Sequence, residues 1–174
     1  MEFQASDFID VLLRAKALGY HAPSGVTVLP HNFHNAASRF ELYYESYHLE
    51  LREFLRTNGI LGTSIEGNEE ATVRIRLSEG SFSEWEPPTL FIAGTLLKEK
   101  PALLDQLLSA VETFLYNKFQ SAFEREPTPM DIVEFHVVKL STASSTYQMI
   151  SYRGAWKNNK LEGLQAFGKL VRKN

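Results

Sequence analysis

The chain has 174 residues, 44% of them apolar and 22% charged, the composition of a folded globular protein and not of a disordered or fibrous one. It contains no cysteine, which excludes disulfides, thiol catalysis and every zinc or iron–sulfur site built on thiolates. Eighteen Lys and Arg stand against 21 Asp and Glu, a net charge of −3, whereas a dedicated nucleic-acid binder carries a basic excess.

The length suits one α+β domain over 1–174, with enough chain to bury a core unaided. The amino-terminal stretch MEFQASDFIDVLLRAKALG has acidic residues at Glu2, Asp7 and Asp10 where an export signal would be basic. Apolar runs reach four or five residues, far from the roughly 18 that span a bilayer. A cytoplasmic protein without a membrane segment is the expectation.

Ser6 can cap a helix whose apolar positions Phe8, Val11, Leu12, Ala15 and Leu18 recur at helical spacing until Gly19. Residues 20–33 carry two prolines and a glycine and read as an ordered loop with a short extended piece. Asn35 can open a second helical region that closes at Asn58 and Gly59, with Phe40, Tyr43, Tyr44, Tyr47, Leu51, Phe54 and Leu55 as its stripe and a break near Ser46. The two helices make 6–58 a helical amino-terminal part. A glycine-rich acidic connection follows, Leu61 to Ala71.

From Thr72 to Ser78 the period changes to two, with Val73, Ile75 and Leu77 expected on a covered face and Arg74 and Arg76 opposite. After the loop EGSFSEWEPP, the apolar stretch Thr89 to Leu97 suits an interior strand. Pro101 stands where a helix would begin, and the following apolar pattern runs until shortly before Pro127. Asp131 to Leu140 places Val133, Phe135 and Val137 on one parity. STASS then turns the chain into a strand over Tyr147 to Arg153, and a helix follows from Lys160 to Arg172.

Units 72–121 and 131–172 thus share a ββα pattern, and at an offset of 60 Val73 meets Val133, Gly94 meets Gly154 and Leu104 meets Leu164. This suggests a duplication or simply two similar units. The expected fold is α+β: two N-terminal helices followed by a ββαββα arrangement, an antiparallel or mixed sheet with helices mainly on one face. With one more edge strand around Ile65, this order of elements resembles that of bacterial type III secretion chaperones, a similarity of element order alone.

The chemistry-bearing residues are few. His31, His34, Glu45 and His48 supply an HxxH pair and an i, i+3 carboxylate–histidine pair, but a carboxylate-bridged metal pair needs two such units and more carboxylates. Motifs of the forms GxSxG, SxxK, GxGxxG and GxxxxGK[ST] are absent, so neither a hydrolase elbow nor a phosphate loop is written locally. If the strands around Arg74 and Glu134 are neighbours, Arg74, Arg76, Glu134 and His136 share one sheet face, either as cross-strand ion pairs or as a groove for an anionic peptide or ligand.

Phe82 and Trp85 lie among Glu79, Glu84 and Glu86, ahead of Pro87 and Pro88. There the aromatic side chains either cover a sheet end or anchor a partner. Trp156 has the same two readings. Residues 1–88 carry 7 basic and 13 acidic side chains, and residues 89–174 carry 11 and 8, so the halves stand at −6 and +3. From Arg153 onward six cations, Lys169 and Arg172 among them, face Glu162 alone.

The sequence therefore supports a non-enzymatic, cytoplasmic protein-interaction module, adaptor or chaperone-like, that binds a protein partner and self-associates. It implies no cofactor and no metal, and its binding residues would be Phe82, Trp85, Arg74, Arg76, His136, Trp156, Lys169 and Arg172. A small-molecule or metal-dependent enzyme or sensor using the His/Glu cluster is the alternative.

Overall fold

A computed structural model describes residues 1–62, 64–66, 73–78, 85–141 and 143–173. Its centre is a mixed sheet in the order β1(Glu2–Asp7), β7(Tyr147–Lys157), β6(Ile132–Leu140), β5(Thr89–Ile92), β2(Val26–Leu29). Within this sheet β5 and β6 run parallel and the other neighbouring strands antiparallel, and the short β8(Lys160–Leu161) turns back onto β7. Helices α2(Ser46–Thr57), α4(Leu103–Phe123) and α5(Leu164–Lys173) pack on one face of the sheet. The other face is covered by α1(Val11–Ala17) and the chain between Leu29 and Tyr44. The short helix α3(Leu96–Glu99) precedes α4.

Strand alternation decides which side chains enter which layer. Val133, Phe135, Val137, Leu90, Ile92, Ile150 and Tyr152 project into the α2/α4/α5 layer, whereas Val138, Phe91 and Tyr147 project into the opposite one. The expected parity of β6 holds in full. Lys139 follows it into the interior, where its amine donates to the Val171 carbonyl at 2.7 Å and so ties the sheet to the last turn of α5.

α+β architecture with a mixed sheet is thus present, but the chain opens with a strand and the expected order of elements is not the observed one. Ser6 lies in β1, and the cap of α1 is Asp10, whose carboxylate accepts from the Leu13 amide at 3.0 Å. Residues 2–7 are mostly polar and pair only with distant β7, so nothing local marks them as a strand. The predicted helix from Asn35 to Asn58 is a 3-10 turn at Arg39–Glu41, then β3(Tyr43–Glu45), and becomes α2 only at Ser46, the expected break. Its expected end holds, since Asn58 caps α2 and Gly59 follows at φ +70°.

β4(Arg74–Arg76) does not pair with β5 at all. It forms a small parallel ladder with β3 outside the main sheet. For that reason Ile75 and Leu77, expected on a covered face, are exposed, and only Val73 is buried. The two ββα units are therefore unlike: β6 and β7 form a hairpin, β4 and β5 do not, and the offset-60 correspondence has no counterpart in the topology. Ile65 itself lies in a turn, and its neighbours 63 and 67–72 lie outside the described residues; the order of elements, which opens on a strand, is not the one on which the likeness to type III secretion chaperones rests. α4 starts at Leu103 with Ala102 as its cap, two residues after Pro101, and Lys160 belongs to β8, so the last helix starts at Leu164.

Candidate functional site

Two features bring polar chemistry together. The first is a groove of about 790 Å³ between α4 and the β8–α5 segment. Leu108, Leu161 and Leu164 give it an apolar floor, and Asp105, Glu112, Lys160 and Lys169 stand around it. Glu112 projects from the buried side of α4 and accepts from the Leu161 amide at 2.8 Å and from the Lys160 ammonium at 3.2 Å. That pair of bonds fixes β8 against the helix. Beside the groove Arg172 meets Asp105 at 2.9 Å, which leaves Lys169 as the rim cation without an ion pair among the described residues.

The second feature is a histidine cluster where β2 ends, β5 begins and α2 starts. His48, in the first turn of α2, is fully buried, and its Nε2 lies 2.7 Å from the Glu86 carbonyl. A carbonyl only accepts, so Nε2 carries the proton. The Tyr47 hydroxyl donates to the same carbonyl. The Glu86 carboxylate lies 3.6 Å from His31 Nε2 and 3.9 Å from the Arg76 guanidinium, which also pairs with the buried Glu45. Burial pushes the His48 and His136 values down to about 4, and it lowers that of His31 as well. All three imidazoles are neutral at pH 7.

His136 sits on the sheet face opposite α4, with Nδ1 2.8 Å from Ser151 Oγ on the neighbouring strand. Its Nε2 lies 3.9 Å from Glu134, beyond hydrogen-bond reach. Ser151 is in the middle of β7 with ladders on both sides, so its amide is not available as an oxyanion donor. The arrangement holds a neutral histidine in place without forming a nucleophile, base and oxyanion constellation. Among the described residues no three His, Asp or Glu side chains are grouped to hold a metal ion, so His31, His34, Glu45 and His48 do not form the metal site considered for them. His34 turns away and lies 6.2 Å from the Phe8 ring.

The residues singled out in the sequence fall in different places. Glu134 and His136 do share a sheet face, but their neighbours in register are Arg153 and Ser151. Arg74 and Arg76, expected beside them, are on β4 in the separate ladder, and Arg76 approaches the cluster only through Glu86. Trp85 is half-buried against Tyr47 at 5.1 Å, with the Lys118 ammonium 5.7 Å from its ring centroid. Trp156 is buried in the core against Tyr116 and presents no surface to a partner. Phe82 lies outside the described residues. Lys169 and Arg172 are exposed on α5; Lys169 lines the groove, and Arg172 pairs with Asp105 beside it.

Glu112 and Glu86 were not foreseen. A carboxylate between Leu108 and Leu115 on the apolar stripe of α4 was a legible signal for the first, because a charge on a buried stripe needs a partner. Nothing local marks the second, since its partners come from α2, β4 and the chain after β2. No known family model, no curated protein and no solved structure matches the chain.

Proposed function

We propose that the protein is a non-enzymatic interaction module that receives an acidic amphipathic helix of a partner protein in the groove between α4 and α5. The observation that carries this reading is the pairing of an apolar floor, Leu108, Leu161 and Leu164, with the rim cation Lys169, the neighbouring Lys160 being held by Glu112. A helix laid between two helices buries its apolar stripe on such a floor, and acidic residues along its flank meet that cation. The local charge supports the same partner, because α5 over Leu164–Lys173 carries Lys169, Arg172 and Lys173 and no carboxylate, which steers an anionic surface toward this helix.

Affinity capture with the wild-type protein, Lys169→Glu and Ser109→Trp tests it. Both side chains are exposed at the groove, so the variants fold. A partner retained by wild type is expected to be lost by at least tenfold with each variant, at equal bait and fixed salt. Retention of the same partners by all three baits would overturn the reading. If the lost partner is the chain itself, seen as a dimer that dissociates in Lys169→Glu, the occupant is a second copy and not a separate protein.

A further inference from the structure

Glu86 is the point at which the segment entering β5 is fastened to α2. Its carbonyl takes hydrogen bonds from both Tyr47 and His48, and its carboxylate faces His31 and Arg76. The adjacent Trp85 lies on Tyr47 and faces Phe123 at 6.3 Å, near the end of α4. On the other side, Pro88 accepts the His136 amide at 2.9 Å and begins the ladder with β6.

Burial opposes a second proton on His48 and outweighs the bond to the Glu86 carbonyl, which favours the charged ring. With Nε2 bonded to the carbonyl, that proton must enter at Nδ1, which is enclosed and without a hydrogen-bond partner. Among the described residues, the charged and titratable side chains whose fields reach His48 are His31 after β2, Arg76 of β4 and His136 of β6, and each opposes the added charge. His31 differs, since Glu86 and Glu45 both favour its protonated form against Arg76 and His34. His136 is held by Ser151 and near Glu134, and is opposed by His31.

We propose that Tyr47, His48 and Glu86 form an acid-released latch, with His48 as its catch, that frees Trp85 and Glu86 from the first turn of α2 when the pH falls. Opening uncovers the facing rings of Tyr47, Trp85 and Phe123 as one aromatic surface. His48 titrates near 4 in the closed form and near its ordinary 6.5 once released. Between these values the open form binds the extra proton, so the latch is intact above the window and loosens as pH falls through it.

The protein labelled with 5-fluorotryptophan gives one ¹⁹F resonance each for Trp85 and Trp156, assigned with Trp85→Phe. Between pH 7 and pH 4 the Trp85 resonance is expected to titrate while that of Trp156, in the core, stays in place. In His48→Gln the carboxamide donates to the same carbonyl without titrating, and the Trp85 transition is expected to vanish or to fall by about one pH unit, a tenfold change in proton concentration. A Trp85 resonance that is unmoved to pH 4, that moves only together with Trp156, or that titrates identically in His48→Gln would overturn the latch.

Discussion

Replacing Phe167 with alanine is expected to destabilise the protein by about 3–5 kcal/mol, and with it to abolish the groove. Phe167 is fully buried, and its ring lies 5.5 Å from each of Phe3 in β1, Phe135 in β6 and Tyr152 in β7. It is the side chain by which α5 seats on the sheet, and three strands would border the cavity left by its removal. Val171, also fully buried, joins the same core one turn later, and a lysine bond to its carbonyl and a surface ion pair add about 1 kcal/mol each. Urea denaturation measures the loss, and thermal unfolding should move down by roughly 6–20 °C in a chain of this size. Lys169→Ala, on the exposed side of the same helix, should stay within about 0.5 kcal/mol of wild type. A Phe167→Ala loss as small as that would mean that α5 is not anchored through this ring.

Gly62→Ala is expected to cost about 3 kcal/mol, for a different reason. Here the backbone of Gly62 lies on that of Gly25, its amide donates to the Val26 carbonyl at 2.7 Å, and the preceding Leu61 bridges to Val26. A Cβ at Gly62 would collide with the Ser24 carbonyl and stand 2.8 Å from the Gly25 Cα. Both obstacles are main chain, which cannot rotate aside, so the edge strand β2 must shift. Gly59→Ala provides the comparison. Nothing lies within 4 Å of a Cβ there, although φ is +70°, and a left-handed conformation alone costs about 1 kcal/mol. Denaturation of the two variants side by side should give the larger loss at Gly62, and an equal or smaller one would show that the contact with Gly25 relaxes freely.

What could be read from the sequence follows the range of the forces involved. The parity of Val133, Phe135 and Val137, the end of α2 at Asn58 and Gly59, and the long helix before Pro127 are set by neighbours a few residues away, and they were legible. β1 was not, because Glu2–Asp7 becomes a strand only through β7 at the far end of the chain. The alternation of Val73, Ile75 and Leu77 was real as a pattern, yet β4 pairs with β3 away from the sheet, so the same period leaves Ile75 and Leu77 in solvent.

The candidate sites divide in the same way. Lys169 and Arg172 were visible as a local excess of cations, and Glu112 could have been found as a charge on an apolar stripe. Trp156 looked like a surface anchor because a lone aromatic residue near a glycine has no periodic reason, but alternation along β7 turns it inward. Glu86 was hidden among other acidic residues. Its position depends on Tyr47, His48, His31 and Arg76 converging from elements that no local pattern places together.

The central claim, that the groove between α4 and α5 is a docking surface, is tested most directly by site-specific photocrosslinking in cells of the native host. A photoreactive side chain at Ser109, in the groove, should yield a discrete crosslinked species, and Lys169→Glu in the same chain should abolish it. The same group at the exposed Lys16 on α1, on the opposite layer, should yield none. Equal products from both positions, or no product from Ser109, would contradict the account.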